Sequence, residues 1–208
     1  MRKYSVHKIF GPTIQGEGGM TGAVCHFIRL SGCNMWDGRA ETRATSQCPF
    51  CDTDFLSHTL MTAEQIVEEL QALGLVYWVT ISGGEPALQV DQPLVDALHD
   101  AGYMVAIETN GTKALKAKLD YVTVSPKLPP EQTVLTTCHS LKLVFPHPNP
   151  LITPKAFDYI CADTRYLQPL DAEEPTATKT NIERVLKQLY KNPQWRMSLQ
   201  THKMLGVE

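Results

Sequence analysis

Long apolar runs are missing from this sequence. Over 208 residues no stretch of about 20 apolar residues is present to cross a bilayer as a helix. Residues 1–8 read MRKYSVHK and form no apolar leader core, so no signal peptide is visible and a cytoplasmic home is the expectation. Charge of one sign is also lacking. The 19 basic and 22 acidic residues leave a net charge of −3, with no basic stripe, which argues against nucleic acid as a direct partner. Internal repeats and low-complexity tracts are absent. What remains is a 43% hydrophobic chain of a length that suits one domain, residues 1–208, with a sizeable core.

Six cysteines are present, and an even number invites a disulfide framework. A chain without a secretory leader and large enough to bury a core needs no such staples, so reduced thiols are expected. Cys25 and Cys161 lie in apolar, strand-like runs and read as packing residues. Cys138, beside His139, reads the same way. Cys33, Cys48 and Cys51 differ. Cys48-Pro49-Phe50-Cys51 is a turn with two thiols, and Cys33 stands alone before a 14-residue insert, Asn34–Gln47. One pair plus one single is compatible with zinc, if His58 or Cys25 adds a fourth ligand, and with an iron–sulfur cluster. Three thiolates on a cube leave one iron open to a small molecule.

Downstream the pattern alternates strand and helix. Thr62-Ala63-Glu64-Gln65 is a capping box, and Ile66, Val67, Leu70 and Leu73 form the apolar face of a helix that Gly74 ends. Strands are expected at Ala23–Leu30, Val76–Ser82, Tyr103–Glu108, Tyr121–Ser125, Ser140–Phe145, Phe157–Cys161 and Trp195–Gln200. Further helices are expected after Asp91, near Lys113–Leu119 and over Thr180–Tyr190, with proline-rich loops at 126–130, 146–154 and 169–175. This order predicts an α/β fold with a mainly parallel sheet, open or barrel-like. Polar or glycine motifs follow successive strands: Cys33, Gly83-Gly84-Glu85-Pro86, Asn110-Gly111 and Ser125-Pro126-Lys127. In such folds the carboxyl ends of strands build the site, so these segments should meet.

The three cysteines together with GGEP resemble the radical S-adenosylmethionine (SAM) superfamily. The usual C-x3-C-x2-C spacing is replaced here by C-x14-C-x2-C. Further motifs are similar to the 7-carboxy-7-deazaguanine synthase family, some members of which carry the enlarged cysteine loop. They are Ile14-Gln15-Gly16-Glu17-Gly18, Phe27-Ile28-Arg29-Leu30 before Gly32-Cys33, Cys51-Asp52-Thr53, Glu108-Thr109-Asn110-Gly111, Ser125-Pro126-Lys127, Gln168-Pro169-Leu170-Asp171 and Gln200-Thr201-His202-Lys203. They span nearly the whole chain.

The resemblance implies a partial, trimmed (β/α) barrel of the radical SAM type and a homodimer. It implies a ring-contracting lyase that converts 6-carboxy-5,6,7,8-tetrahydropterin to 7-carboxy-7-deazaguanine with loss of ammonia, on the route to queuosine and other 7-deazapurines. Its cofactors would be a [4Fe–4S] cluster, SAM and Mg²⁺, and its reductant a flavodoxin or ferredoxin. By position, Cys33, Cys48 and Cys51 would ligate the cluster and Thr53 would meet Mg²⁺. SAM would lie against Phe50, Asp52, Gly84, Glu85, Ser125, Pro126, Lys127, Gln168, Pro169, Leu170 and Asp171. The pterin would contact Ile14, Gln15, Gly16, Glu17, Arg29, Ser82, Glu108 and His202, with Arg29 pairing its carboxylate. The radical chemistry belongs to SAM and the cluster, so no side chain is assigned as catalytic.

Taken singly, each of these residues also has a plainer reading. Arg29 could be a strand-end charge, His202 an exposed tail residue, Glu17 a polar loop residue and Thr53 a turn cap. Two other functions share part of the pattern. A glycyl-radical activase needs the cluster and GGEP but neither QGEG nor QTHK, and a non-catalytic zinc or iron–sulfur module needs only the cysteines. Trp36 and the mixed charges of the insert predict a folded flap, a possible docking surface for the reductant.

Overall fold

A computed structural model describes residues 2–172 and 174–208. In chain order its strands are β1 Tyr4–Ile14, β2 Val24–Leu30, β3 Thr59–Met61, β4 Trp78–Gly83, β5 Met104–Thr109, β6 Tyr121–Val124, β7 Thr137–Phe145, β8 Cys161–Pro169 and β9 Trp195–Met197. The helices are α1 Ala63–Ala72, α2 Gln92–Asp100, α3 Pro175–Lys191 and α4 Thr201–Leu205. All strands join one nine-stranded sheet in the order β3-β1-β2-β4-β5-β6-β7-β8-β9. β1 pairs antiparallel with β2 and β3. From β2 through β4 to β9 every pairing is parallel. The sheet keeps two free edges, β3 and β9, and so is the trimmed, open form of a barrel.

Local chemistry explains the helices that form. Thr62 and Gln65 make the reciprocal capping box, which contributes about 1 kcal/mol. Asp91 caps α2 through the Leu94 amide and also accepts from the Tyr4 hydroxyl at 2.6 Å, tying that helix to β1. Ile66 and Leu70 of α1 and Leu94, Val95 and Leu98 of α2 are fully buried against Val79, Ile81, Val105 and Ile107 of the sheet.

Several expectations change. The segment Lys113–Leu119 is not helical; it is irregular, with one bridge between Asp91 and Lys116. Seven residues are too few to repay helix nucleation without a strong packing face. Phe157–Cys161 is not a strand. Phe157 closes a 3-10 turn from Pro154, and the strand runs later, from Cys161 to Pro169. Its early residues are polar, and it is held by parallel pairing to β7, not by its own apolar pattern. Cys161 is exposed, because the first half of β8 lies outside the core, whereas Cys25 and Cys138 are buried as expected. The last strand stops at Met197, and Thr201–Leu205 is helical. β1 and β3 extend the sheet beyond the strands that apolar runs marked.

Alternation along the strands gives the sheet two unlike faces. Leu30, Ile81, Ile107, Leu141, Leu143 and Leu167 enter the core under the helices. Their neighbours Arg29, Ser82, Glu108, Lys142 and Gln168 lie on the other face, near the carboxyl ends of their strands.

Candidate active site

Those strand ends open into a cavity of about 600 Å³. Cys33, Cys48 and Cys51 line it, with Phe50, Asp52 and Thr53 beside them. Glu17, Ser82, Glu108 and Lys142 line the same cavity. Gly84, Ser125, Lys127 and Gln168–Asp171 complete the wall. Thus 16 of the residues marked from sequence share one cavity although they lie up to 154 positions apart (Glu17 to Asp171).

The cysteine loop is locally defined. The Cys51 amide donates to the Cys48 carbonyl at 3.1 Å, closing the turn around Pro49. A hydrogen bond from Cys48 holds the Cys51 thiol down to about 6, while that same bond and burial push Cys48 up. Burial also raises Cys33. Among the described residues no three Cys, His, Asp or Glu side chains gather tightly enough to share one metal ion. A cube asks for something else, because its three ligated corners are separate irons and its thiolates spread over a cluster face.

The GGEP turn is shaped by the loop it touches. Gly83 has φ of +124°, and a Cβ there would overlap the Leu30 backbone. A Cβ on Gly84 would overlap the Gly32 carbonyl and come within 3.1 Å of the Cys33 Cβ. The Glu85 amide donates to the Gly32 carbonyl at 2.8 Å. So the two glycines let the β4 turn lie directly on the first cysteine. Glu85 does not face the cavity. It is 1% exposed and accepts from the Ala87 amide at 2.9 Å, the Thr109 hydroxyl at 2.6 Å and the Asn110 amide at 2.7 Å. Its carboxylate locks the ends of β4 and β5 together from behind the cavity wall.

The cavity also holds a buried charge network. Lys142 pairs with Glu17 and lies 3.6 Å from Glu108. The Gln200 side chain donates to Glu17 at 2.8 Å, and the Gln15 side chain donates to Glu108 at 3.1 Å. Burial pushes the Glu17 carboxyl up, but Lys142 and the amide donors outweigh it and hold it down at about 2. Burial works against the Lys142 ammonium, yet the two glutamates raise it on balance. Among the described residues Lys127 has no such partner; burial lowers it, and it donates to the Ser125 carbonyl at 3.0 Å.

Ile14, Gln15, Gly16, Arg29, Pro126 and His202 stand behind the cavity wall. Arg29 lies over the Phe10 ring at 5.3 Å, level with Ser82 in the sheet, and its buried Nε has no hydrogen-bond partner among the described residues. His202 packs on Gly16, where any side chain would strike its ring. The Ser198 hydroxyl accepts from the Gly18 amide and donates to Gln168, each at 2.9 Å, and Lys203 bridges Asp52 at 3.0 Å and Asp171 at 2.8 Å. The tail therefore clamps three segments of the site. Deleting everything after Leu199 should weaken substrate binding about tenfold or more while leaving the sheet intact, because the lost contacts go to the pocket and to Lys8 and Thr13 of β1, not to the buried core. Equal affinity in the truncated protein, read by equilibrium dialysis, would return the tail to a surface role.

Lys142 and Arg43 also line the cavity and were not marked from sequence; Asn110, Gln200 and Trp36 line it too, named from sequence within motifs or the flap but without a ligand role. Lys142 was detectable as the one charged residue inside the apolar strand Leu141–Phe145. The insert is folded, as its composition predicts. Trp36 meets Phe55 edge-on at 5.6 Å, Arg43 stacks over Trp36 at 5.5 Å and donates to the Cys51 carbonyl.

No family model matches the chain. A 7-carboxy-7-deazaguanine synthase of Bradyrhizobium diazoefficiens is 40% identical over 98% of this chain and 99% of its own length. The chain belongs to the 7-carboxy-7-deazaguanine synthase family. The synthase of Bacteroides thetaiotaomicron is 37% identical, covering 100% of this chain and 99% of that protein. The crystal structure of QueE from Escherichia coli superposes with a TM-score of 0.64 at 25% identity, over 95% of this chain and 94% of that one. Membership in the 7-carboxy-7-deazaguanine synthase family bears out the resemblance and decides against a glycyl-radical activase or a non-catalytic module. It is a radical SAM family, which implies SAM and a [4Fe–4S] cluster. No helix among the described residues is long and apolar enough to cross a membrane.

Proposed function

We propose that this protein is a radical SAM lyase that converts 6-carboxy-5,6,7,8-tetrahydropterin to 7-carboxy-7-deazaguanine and ammonia. The observation that carries this reading is that one cavity is lined both by three cysteines and by the Glu17–Lys142–Glu108 network. When bound, SAM and the cluster supply the one-electron chemistry that begins at C6 of the pterin. Cys33, Cys48 and Cys51 hold the cluster, and the close seat of Gly84 on Gly32–Cys33 keeps the first thiol in place. Gly84, Phe50, Asp52, Ser125, Lys127 and the Gln168–Asp171 segment hold SAM beside it. Glu17 and Glu108 accept hydrogen bonds from the pyrimidine edge of the pterin. Arg29, whose Nε lacks a hydrogen-bond partner among the described residues, pairs with the pterin carboxylate. Gln15, Gly16 and His202 back that pocket.

Thr53 offers its hydroxyl to Mg²⁺, which keeps most of its waters and takes oxygens from substrate. The protein works in the cytoplasm as a homodimer, with a flavodoxin or ferredoxin as reductant. Anaerobic protein supplied with iron, sulfide, SAM, reductant and the carboxytetrahydropterin should release the deazaguanine and ammonia. SAM cleavage without that product would defeat the substrate assignment. Thr53→Ala should lower turnover about tenfold or more while iron content stays at the parent level. Unchanged turnover and unchanged Mg²⁺ dependence in that variant would remove Thr53 from the metal site.

A further inference from the structure

Lys142 lies on β7 between Leu141 and Leu143, which enter the core, so its own side chain crosses to the cavity face. That side chain is 5% exposed. Its ammonium sits between two carboxylates from distant segments, Glu17 of the N-terminal loop and Glu108 of β5. The pattern is symmetric. Glu17 gives one oxygen to Lys142 and the other to Gln200, and Glu108 gives one to Lys142 and the other to Gln15. A carboxylate oxygen has capacity for a second donor, so each glutamate keeps acceptor sites for a ligand in the cavity.

We propose that Lys142 is a positioning residue for substrate selection: it holds Glu17 and Glu108 as a matched pair of anionic acceptors for the amino-pyrimidine edge of the pterin. This rests on the reading of the cavity as a pterin site. Without the ammonium, two buried carboxylates facing one cavity repel, and one of them takes a proton. A protonated carboxyl presents a donor where the pterin also presents one, and the match is lost. Lys142 thus sets which hydrogen-bonding pattern the pocket accepts.

The charged and titratable groups that face this cluster are Glu17 from the N-terminal loop, Glu108 from β5, Lys127 after β6, and Asp52 and His202 beside Gln200. All except Lys142 are common to the parent protein and a Lys142 variant, so a difference in pH profile between the two reports how the loss of Lys142 changes the titration of Glu17 and Glu108. Glu17 is held at about 2 in the parent, so its acceptor is present throughout the neutral range. Removing Lys142 leaves burial as the main push, which is upward. Acceptor capacity is then present at higher pH and lost as pH falls through the raised value.

The test is the affinity of the intact protein for 6-carboxypterin, the fully oxidised analogue, by calorimetry from about pH 8 down to about pH 6. The parent should bind with little change over this range. Lys142→Met should bind about tenfold more weakly at the upper end and more weakly still as pH falls. Lys142→Arg should restore a flat profile. Should Lys142→Met fail to fold, Lys142→Gln, which keeps a donor without the charge, serves instead, and is expected to show the same loss of affinity as pH falls. Parent-like affinity and pH profile in Lys142→Met, or in Lys142→Gln where it is used, would overturn the role of Lys142. A parent protein that does not bind carboxypterin would instead overturn the pterin reading, and the proposal with it.

Discussion

Cys51→Ala should purify colourless and lose SAM cleavage by at least about a thousandfold. The Cys48–Cys51 turn is closed by its own backbone hydrogen bond, so removing the Cys51 sulfur leaves the loop standing and takes away one of only three thiolates in the cavity. Two thiolates do not hold a cube that needs one more. The other cysteines give the control. Cys161 is exposed at the start of β8, away from the cavity, so Cys161→Ala should keep full colour and full cleavage. Iron content and the visible absorption of anaerobically reconstituted protein decide the matter. A Cys51→Ala protein with parent-level iron would mean that the cluster is held elsewhere.

The second large effect comes from a residue that touches no ligand through a side chain. Gly84→Ala adds one methyl, and that methyl overlaps the Gly32 carbonyl and crowds Cys33. The obstacle is backbone, which cannot rotate away as a side-chain tip can. The expected cost is about 1–3 kcal/mol of stability, typical of overpacking at a tight contact. The larger consequence is local: the Gly32–Cys33 segment must shift, moving the first thiol relative to Cys48 and Cys51. Iron incorporation should fall severalfold although all three cysteines are present. Thermal melting together with iron per chain after reconstitution checks both parts. Parent values for both would show that the β4 turn does not seat the cysteine loop.

Much of this was legible in the sequence because the relevant signals are local. The capping box at Thr62–Gln65, the Asp91 cap and the apolar runs of β4 to β7 each declare themselves within a few residues. The rule that polar motifs after parallel strands converge then places Cys33, GGEP, Asn110 and Ser125 near one another. What was not legible depends on partners far away in the chain. The first half of β8 is polar and becomes a strand only by pairing with β7. α4 is five residues long and is held by contacts to Gly16, Asp52 and Asp171. Glu85 looked available for a ligand because nothing in its own segment reveals Thr109 and Asn110, which occupy it. Lys142 needed both glutamates to show its meaning, and one of them is 125 residues away.

The tail clamp bears on when the site can exist during synthesis. Gln200 meets Glu17 across 183 positions, and Thr201 meets Gly16 across 185. Contacts of such separation close late, since the whole intervening chain must be ordered first. On a ribosome, the strands from β1 to β8 can pair and bury their apolar faces while the pterin wall still lacks its last members. The scaffold is therefore made before the pocket, and a nascent chain short of residue 200 has a place for a cluster but an unfinished seat for the molecule the cluster acts upon.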